Sequence, residues 1–418
     1  MKAIKNDYFE LFEVENSKTL LVICSSADRR KGQFSFYKKS KLLGTNVLYL
    51  NTPNSNWYRN GIPGIEEPGI DNLSAFKNFL NKIKEEFNID HVYFMGISMG
   101  AYGAILLGTL NNAEKILAFS GEVLLGLPGG RTGPVRNQFW PIYPDLRILK
   151  FENVTALYGE LNIPDTLGAY LIQEHSPSNK IYRVRFASHD VAVKLNERGL
   201  FSEVVSRFIN GEDITIHDFV EPYKIKQKYC QDCLILNKYA LDNDWITINR
   251  FINRLPSEEF NNSILLLLLY STSFYKLGKL QEAKKFLINM ILQESRNEGF
   301  WSLLASCYIK ENKLQMALKC IDVSLHLKPA LSINNLIKAN ILFKLGDLEN
   351  SARYANYAQT INTSYQKQVS PLLDKIFNLN PNIKLEKLDR MSLIKELSSK
   401  LLDVSVADKQ NLYQYIEL

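Results

Sequence analysis

The spacing of apolar positions changes period once along this chain. Up to about residue 210, short β-rich runs alternate with stretches of helical period, and beyond 223 only helical pairs follow. The runs at 11–14, 19–25, 46–51, 91–96, 115–120, 154–158 and 181–186 read as strands, the first two joined by a turn at 15–17. The run Thr-Leu-Leu-Val-Ile-Cys-Ser at 19–25 is apolar almost throughout, as a central strand covered on both faces should be. Residues 34–43 read as a short helix. Residues 71–87 read as an amphipathic helix, with Asp71 as N-cap and Leu73, Phe76, Phe79, Leu80 and Ile83 on one face. Strands alternating with helices predict a mostly parallel, doubly wound α/β sheet with right-handed crossovers. Gly211-Glu212-Asp213 and Glu221-Pro222 suggest a linker, so the expected domains are 1–212 and an all-α domain at 222–418.

One turn organises the first half. Gly96-Ile97-Ser98-Met99-Gly100 closes a strand and opens a small-residue helix. A turn that sharp strains the serine backbone and leaves no room two residues before and after it, where both residues are glycine. Ser98 then lies at a helix N-terminus, where negative charge is favoured. Ala101, Gly103 and Ala104 let the helix lie close on the sheet.

This G-x-S-x-G on a strand, turn and helix resembles the nucleophile elbow of the α/β-hydrolase superfamily, over about residues 10–210. The resemblance implies a sheet of that type, with nucleophile, acid and histidine following in that order at strand ends. Ser98 is then the nucleophile. His189 is the base, since it follows the strand 181–186 and precedes a helix carrying Leu200, Phe201, Val204 and Phe208. The acid is Asp165, with Glu160 the next choice. Many members of the superfamily carry the acid three residues after the glycine that ends the preceding strand, and here Asn162 stands there. Asp165 has a second reading as the cap of a helix over 166–172. The oxyanion donors are the N–H of Met99 and that of Ser26 or Ala27, in the loop after the 19–25 strand; the familiar His-Gly pair is absent from that loop.

The second half repeats at a spacing of 34. Tyr275-Lys-Leu-Gly278-Lys-Leu-Gln-Glu-Ala283 aligns with Ile309-Lys-Glu-Asn312-Lys-Leu-Gln-Met-Ala317 and with Phe343-Lys-Leu-Gly346-Asp-Leu-Glu-Asn-Ser351. With Trp301, Leu304, Ala305, Tyr308 and Pro329 in the middle copy, this resembles the tetratricopeptide repeat. Small residues at 271, 305 and 339, and again at 283, 317 and 351, let paired helices approach, and Gly or Asn between them permits a positive-φ turn. The flanks, 224–256 and 365–418, read as degenerate helical pairs capping the stack. Such arrays bind peptides or proteins, or scaffold a neighbouring domain or a self-associated form.

Composition narrows the function. Of 418 residues, 46% are hydrophobic and 22% charged, which is the balance of a soluble globular protein. A net charge of +6 with no nucleic-acid motif does not point to nucleic acid, and suits an anionic substrate or membrane face. Asp28-Arg29-Arg30-Lys31 and the Gly/Pro-rich 127–136, with Arg131 and Arg136, would make a cationic pocket if folded over Ser98. Asn56-Trp57-Tyr58-Arg59-Asn60 adds aromatic faces and amides of the kind sugar sites use.

The five cysteines are few and odd in number, which suggests a reducing compartment, and Cys230-x-x-Cys233 reads as part of a helix rather than a metal half-site. The apolar run 264–275 is too short to span a bilayer and the first 14 residues lack a signal-peptide core. The expectation is a cytoplasmic protein, with the inner membrane surface as one place of work.

The expected function is serine-dependent acyl-ester chemistry through an acyl-enzyme, as an esterase, deacetylase or O-acetyltransferase. An elbow domain joined to helical repeats resembles bacterial proteins associated with cell-surface or capsular polysaccharide assembly, which implies a glycan ester as substrate. No bound cofactor or metal is expected; acetyl-CoA is the acyl donor in the transferase form. The rival expectation is a non-catalytic, hydrolase-like adaptor that binds a protein partner through its repeats.

Overall fold

The computed structural model describes residues 4–27, 29–37, 43–127, 129–130, 132 and 143–399. The chain divides into two compact units, Met1–Asp244 and Trp245–Leu418.

The first unit is built on one eight-stranded sheet. Its strands are β1 (Phe9–Phe12), β2 (Thr19–Cys24), β3 (Asn46–Leu50), β4 (His91–Ile97), β5 (Lys115–Phe119), β6 (Val154–Gly159), β7 (Lys180–Val184) and β8 (Val220–Pro222). Their order is β1-β3-β2-β4-β5-β6-β7-β8. From β3 to β7 all neighbours pair in parallel, while β1 and β8 close the two edges antiparallel. The central strands are almost wholly buried, which is why they read as unbroken apolar runs.

Among the described residues six helices connect or flank the strands: α1 (Asn72–Glu86), α2 (Met99–Leu110), α3 (Ile163–His175), α4 (Val191–Glu197), α5 (Phe201–Asn210) and α6 (Gln227–Leu241). The Asp71 carboxylate caps α1 by accepting from the Leu73 and Ser74 N–H groups. One face of the sheet, through Leu117, Phe119, Leu157 and Val184, shares a core with Val204 and Phe208 of α5.

β1, although joined to β2 by the turn at 15–17, pairs with β3, and the Asn46 side chain accepts from the Val14 N–H and donates to the Ser17 carbonyl. Two expectations change. The stretch that suggests a linker holds β8, whose Val220 pairs with Val184. The first unit therefore runs on to Asp244, because β8 extends the sheet and α6 packs against α3. Cys230 and Cys233 lie buried on α6, and burial pushes their thiols up to about 11 and about 12. Of the short helix expected at 34–43, residues 38–42 lie outside the described residues, as does 400–418 of the expected C-terminal cap.

The second unit is helical among its described residues. After α7 (Trp245–Ile252) and α8 (Ser257–Asn261) come three tetratricopeptide-like hairpins: α9 (Ile264–Lys276) with α10 (Leu280–Gln293), α11 (Glu298–Lys310) with α12 (Leu314–Leu327), and α13 (Ser332–Leu345) with α14 (Leu348–Ile361). α15 (Gln366–Leu379) and α16 (Arg390–Ser399) follow. The turn residues Gly278, Asn312 and Gly346 have φ of 79°, 59° and 85°. Ser271, Ala305, Ala339, Ala283, Ala317 and Ser351 are all fully buried, so the small side chains mark where helices touch. Among the described residues no helix is long and apolar enough to cross a membrane.

Candidate active site

The turn between β4 and α2 is built from backbone constraints. Ser98 has φ 53° and ψ −119°, a strained conformation for a residue with a side chain. Its N–H is tied to the Phe119 carbonyl of β5 at 2.9 Å, and its own carbonyl accepts from Ala101 at 2.9 Å. A Cβ on Gly96 would fall 2.0 Å from the Gly100 carbonyl oxygen, and one on Gly100 would fall 2.2 Å from that of Cys24. Neither position can hold a larger residue without moving backbone. Gly103 is equally constrained, since a Cβ there would lie 2.4 Å from the Tyr58 ring.

The sheet order brings the other two groups to this turn. β7 ends in the loop that carries His189, and β6 ends in the loop that leads to Asp165 in the first turn of α3. The two loops are laced together: Glu160 N–H donates to Val184 at 3.2 Å and Leu161 N–H to Ala187 at 2.9 Å. That approach requires Gly159, where a Cβ would fall 1.9 Å from the Ser188 carbonyl oxygen.

His189 Nε2 lies 2.8 Å from Ser98 Oγ, and His189 Nδ1 lies 2.7 Å from Asp165 Oδ1. The carboxylate accepts from Nδ1–H, which leaves Nε2 as acceptor for the serine hydroxyl. Asp165 is 1% exposed and the His189 side chain 15%, so this bond chain runs from the buried acid to the more accessible histidine. The other candidate positions fall elsewhere. Asn162 is the N-cap of α3, and its side chain accepts from the Asp165 N–H at 2.9 Å. Glu160 is buried beside Arg183 at 3.4 Å, and Arg183 also binds Glu221. Burial alone would lower the Arg183 pKa, but Glu160 and Glu221 outweigh it and hold it raised. Of the remaining histidines, His91 pairs with Glu114 and His175 stacks on Phe151.

Met99 opens α2, so its N–H has no intrahelical acceptor and is available beside Ser98. The loop 25–27 lies against the same helix turn, which the Gly100–Cys24 approach enforces. Ser26 donates its N–H to Ser35 Oγ at 3.1 Å, so that group is committed away from an oxyanion. The Ala27 N–H makes no hydrogen bond among the described residues. Below this loop the Tyr58 hydroxyl donates to the carbonyls of Ser25 at 2.9 Å and Leu50 at 3.2 Å. Burial holds the Tyr58 phenol well above its ordinary range, so it stays a donor. Tyr58→Phe should cost about 1–2 kcal/mol in chemical denaturation. It should also slow the reaction of Ser98 with a fluorophosphonate probe, because the Ser25 carbonyl loses its anchor.

Tyr58 is therefore a support rather than the sugar platform expected of it. Trp57 meets the Tyr102 ring edge-on at 5.5 Å, and the Tyr102 hydroxyl donates to the Tyr143 carbonyl at 2.5 Å. Arg29, Arg30 and Lys31 are exposed; Asn51 holds the backbone carbonyl of Arg30 at 3.1 Å. Asp28, Pro128, Arg131 and 133–136 lie outside the described residues.

Two further groups by the site have no motif to mark them. Ser120 follows β5 with φ 50°, and Glu122 is a buried carboxylate that accepts from Thr132 Oγ1 at 2.8 Å. The only signal is polar residues directly after an apolar strand. Among the described residues no group of three His, Cys, Asp or Glu could hold a metal ion.

No family model matches this chain, and no curated protein matches it. Similar solved structures include the capsule O-acetyltransferase of Neisseria meningitidis serogroup A, at 14% identity and TM-score 0.35, covering 47% of this chain and 90% of that one. A MamA structure of Desulfovibrio magneticus RS-1 is 12% identical at TM-score 0.34, covering 43% and 96%. A thermophilic TPR protein of Thermus thermophilus is 13% identical at TM-score 0.32, covering 44% and 95%.

Proposed function

We propose that the first unit is a serine acyl-transfer catalyst of α/β-hydrolase type. The observation that carries this reading is the bond chain Ser98–His189–Asp165, with both contacts under 3 Å. Ser98 Oγ attacks an ester carbonyl while His189 Nε2 takes its proton. Asp165 holds the imidazole in the tautomer that can accept that proton and stabilises the imidazolium that forms. The Met99 and Ala27 N–H groups receive the charge that develops on the carbonyl oxygen. The leaving group, an alcohol from an oxygen ester or a thiol from a thioester donor, departs with the proton from His189. Water then completes an esterase or deacetylase cycle, and a sugar hydroxyl completes an O-acetyl transfer from a donor such as acetyl-CoA.

A glycan acceptor is the class we favour. The support is that the half-buried Trp57 and Arg59 lie against Tyr102 of α2, the helix that Ser98 opens. The second unit supplies a binding surface for a protein partner or for self-association, the use to which helical repeats are suited.

A fluorophosphonate probe tests the chemistry. Wild type should label stoichiometrically, and Ser98→Ala and His189→Ala should not label. An unreactive wild type would instead favour the second reading, a hydrolase-shaped adaptor whose working surface is the hairpin array.

A further inference from the structure

We infer that Ser120 is a positioning residue for Asp165: its hydroxyl supplies the second hydrogen bond of the carboxylate, through Oδ2. This rests on the reading of Ser98, His189 and Asp165 as a catalytic triad.

Two of the buried polar atoms at this end of the sheet that lack hydrogen-bond partners bear on the acid. They are Ser120 Oγ, on a residue with no exposed surface, and Asp165 Oδ2, on a residue 1% exposed. Each bears the desolvation cost of a buried polar group left unbonded, and pairing them removes both costs.

Topology places the elements that carry them side by side. β5 lies between β4, which ends at the nucleophile, and β6, which leads to the acid. Ser98 N–H bonds Phe119, and Ser120 N–H bonds Leu157 at 2.9 Å, so Ser120 stands in register between the two strand ends. His189 reaches from beyond β6 to Ser98, so the triad crosses this strand end. α3 also lies directly against it: a Cβ on Gly168 would fall 2.3 Å from the Gly121 carbonyl oxygen. Asp165 and Gly168 are three apart on α3 and share its face.

The backbone adds a further observation. Ser120 has φ 50°, a conformation glycine adopts freely and serine does not. The bond to Oδ2 forms by rotation about the serine χ1 or across one water. It holds the carboxylate plane towards His189 Nδ1 and stabilises the unprotonated Asp–His pair.

Other titratable groups lie on the elements around the acid: Glu122 after β5, Tyr158 on β6, Glu160 after it, Arg183 on β7, Arg185 after that, and Asp232 on α6. They are common to wild type and variant, so a difference between the two belongs to position 120.

The test is the rate of Ser98 labelling by a fluorophosphonate against pH, on the full chain, for wild type, Ser120→Gly and Ser120→Ala. Glycine relieves the positive φ at this position and so offsets part of the cost of leaving Oδ2 unbonded; Ser120→Gly should therefore melt less far below wild type than Ser120→Ala. Loss of the donor should move the acid limb of the profile up by about one pH unit in both variants. The plateau rate should fall about tenfold. A limb that stays at its wild-type pH in both variants overturns the assignment, even where the rate falls, because a purely structural role would lower the rate without moving the limb. A wild type that does not label at all overturns the triad reading instead, and is distinguishable for that reason.

Discussion

Asp165→Asn should slow acylation of Ser98 by on the order of 10⁴-fold while the chain stays folded. The amide keeps the size of the carboxylate. However, it can present an N–H to His189 Nδ1, which turns the imidazole to the tautomer with its proton on Nε2, facing Ser98 at 2.8 Å. A protonated Nε2 cannot take the serine proton. The variant also loses the negative charge that stabilises imidazolium. Glu160→Gln is the matched control, being another buried carboxylate close by in sequence. Its partner is Arg183, and removing one member of a buried ion pair costs about 3 kcal/mol in stability. The two variants should thus separate: Asp165→Asn in labelling rate with near-normal denaturation, Glu160→Gln in denaturation with a much smaller change in rate. The reverse pattern would assign the acid to Glu160.

The second large effect is at the elbow. Gly100→Ala should destabilise the first unit by about 3 kcal/mol and abolish labelling. The added methyl would sit 2.2 Å from the Cys24 carbonyl oxygen, and the next nearest atoms are also backbone, so no side-chain rotation relieves it. Relief requires β2 and α2 to separate, which opens the loop carrying Ala27 away from Ser98. An alanine at Gly199, where a Cβ meets nothing within 4 Å, is the contrast: its left-handed φ of 74° carries some strain, but labelling should be retained. Melting curves together with labelling rates distinguish the two positions.

How much of this is legible in the sequence varies with the kind of constraint. The elbow is readable because steric exclusion selects glycine at 96 and 100, and steric exclusion writes itself as a fixed spacing. Gly278, Asn312 and Gly346 are readable for the same reason, since a positive φ repeated every 34 residues selects the same residue types. The acid is harder. Counting three from Gly159 leads to Asn162, which caps α3 and so sets Asp165 in the first turn of the helix.

Strand pairing is not local either. The turn at 15–17 joins β1 to β2, yet the strand beside β1 is β3, whose Asn46 bonds Val14 and Ser17 on either side of that turn. β8, at three residues, is too short to show an alternation. Ser26 and Ala27 are adjacent and chemically similar as backbone donors, and what separates them is the Ser35 hydroxyl, nine residues beyond Ser26. Ser120 and Glu122 are one and three residues past a strand end, with nothing in their spacing to set them apart from ordinary loop residues.

The most direct test of the central claim is to trap the acyl-enzyme. The full chain is mixed with an activated acetyl ester, quenched in acid within the first turnovers, digested, and its peptides weighed. The account predicts one acetyl group on the peptide that contains Ser98, absent from Ser98→Ala and from His189→Ala. An acetyl group that accumulates on another residue, with the Ser98 peptide unmodified in an otherwise active protein, would contradict it.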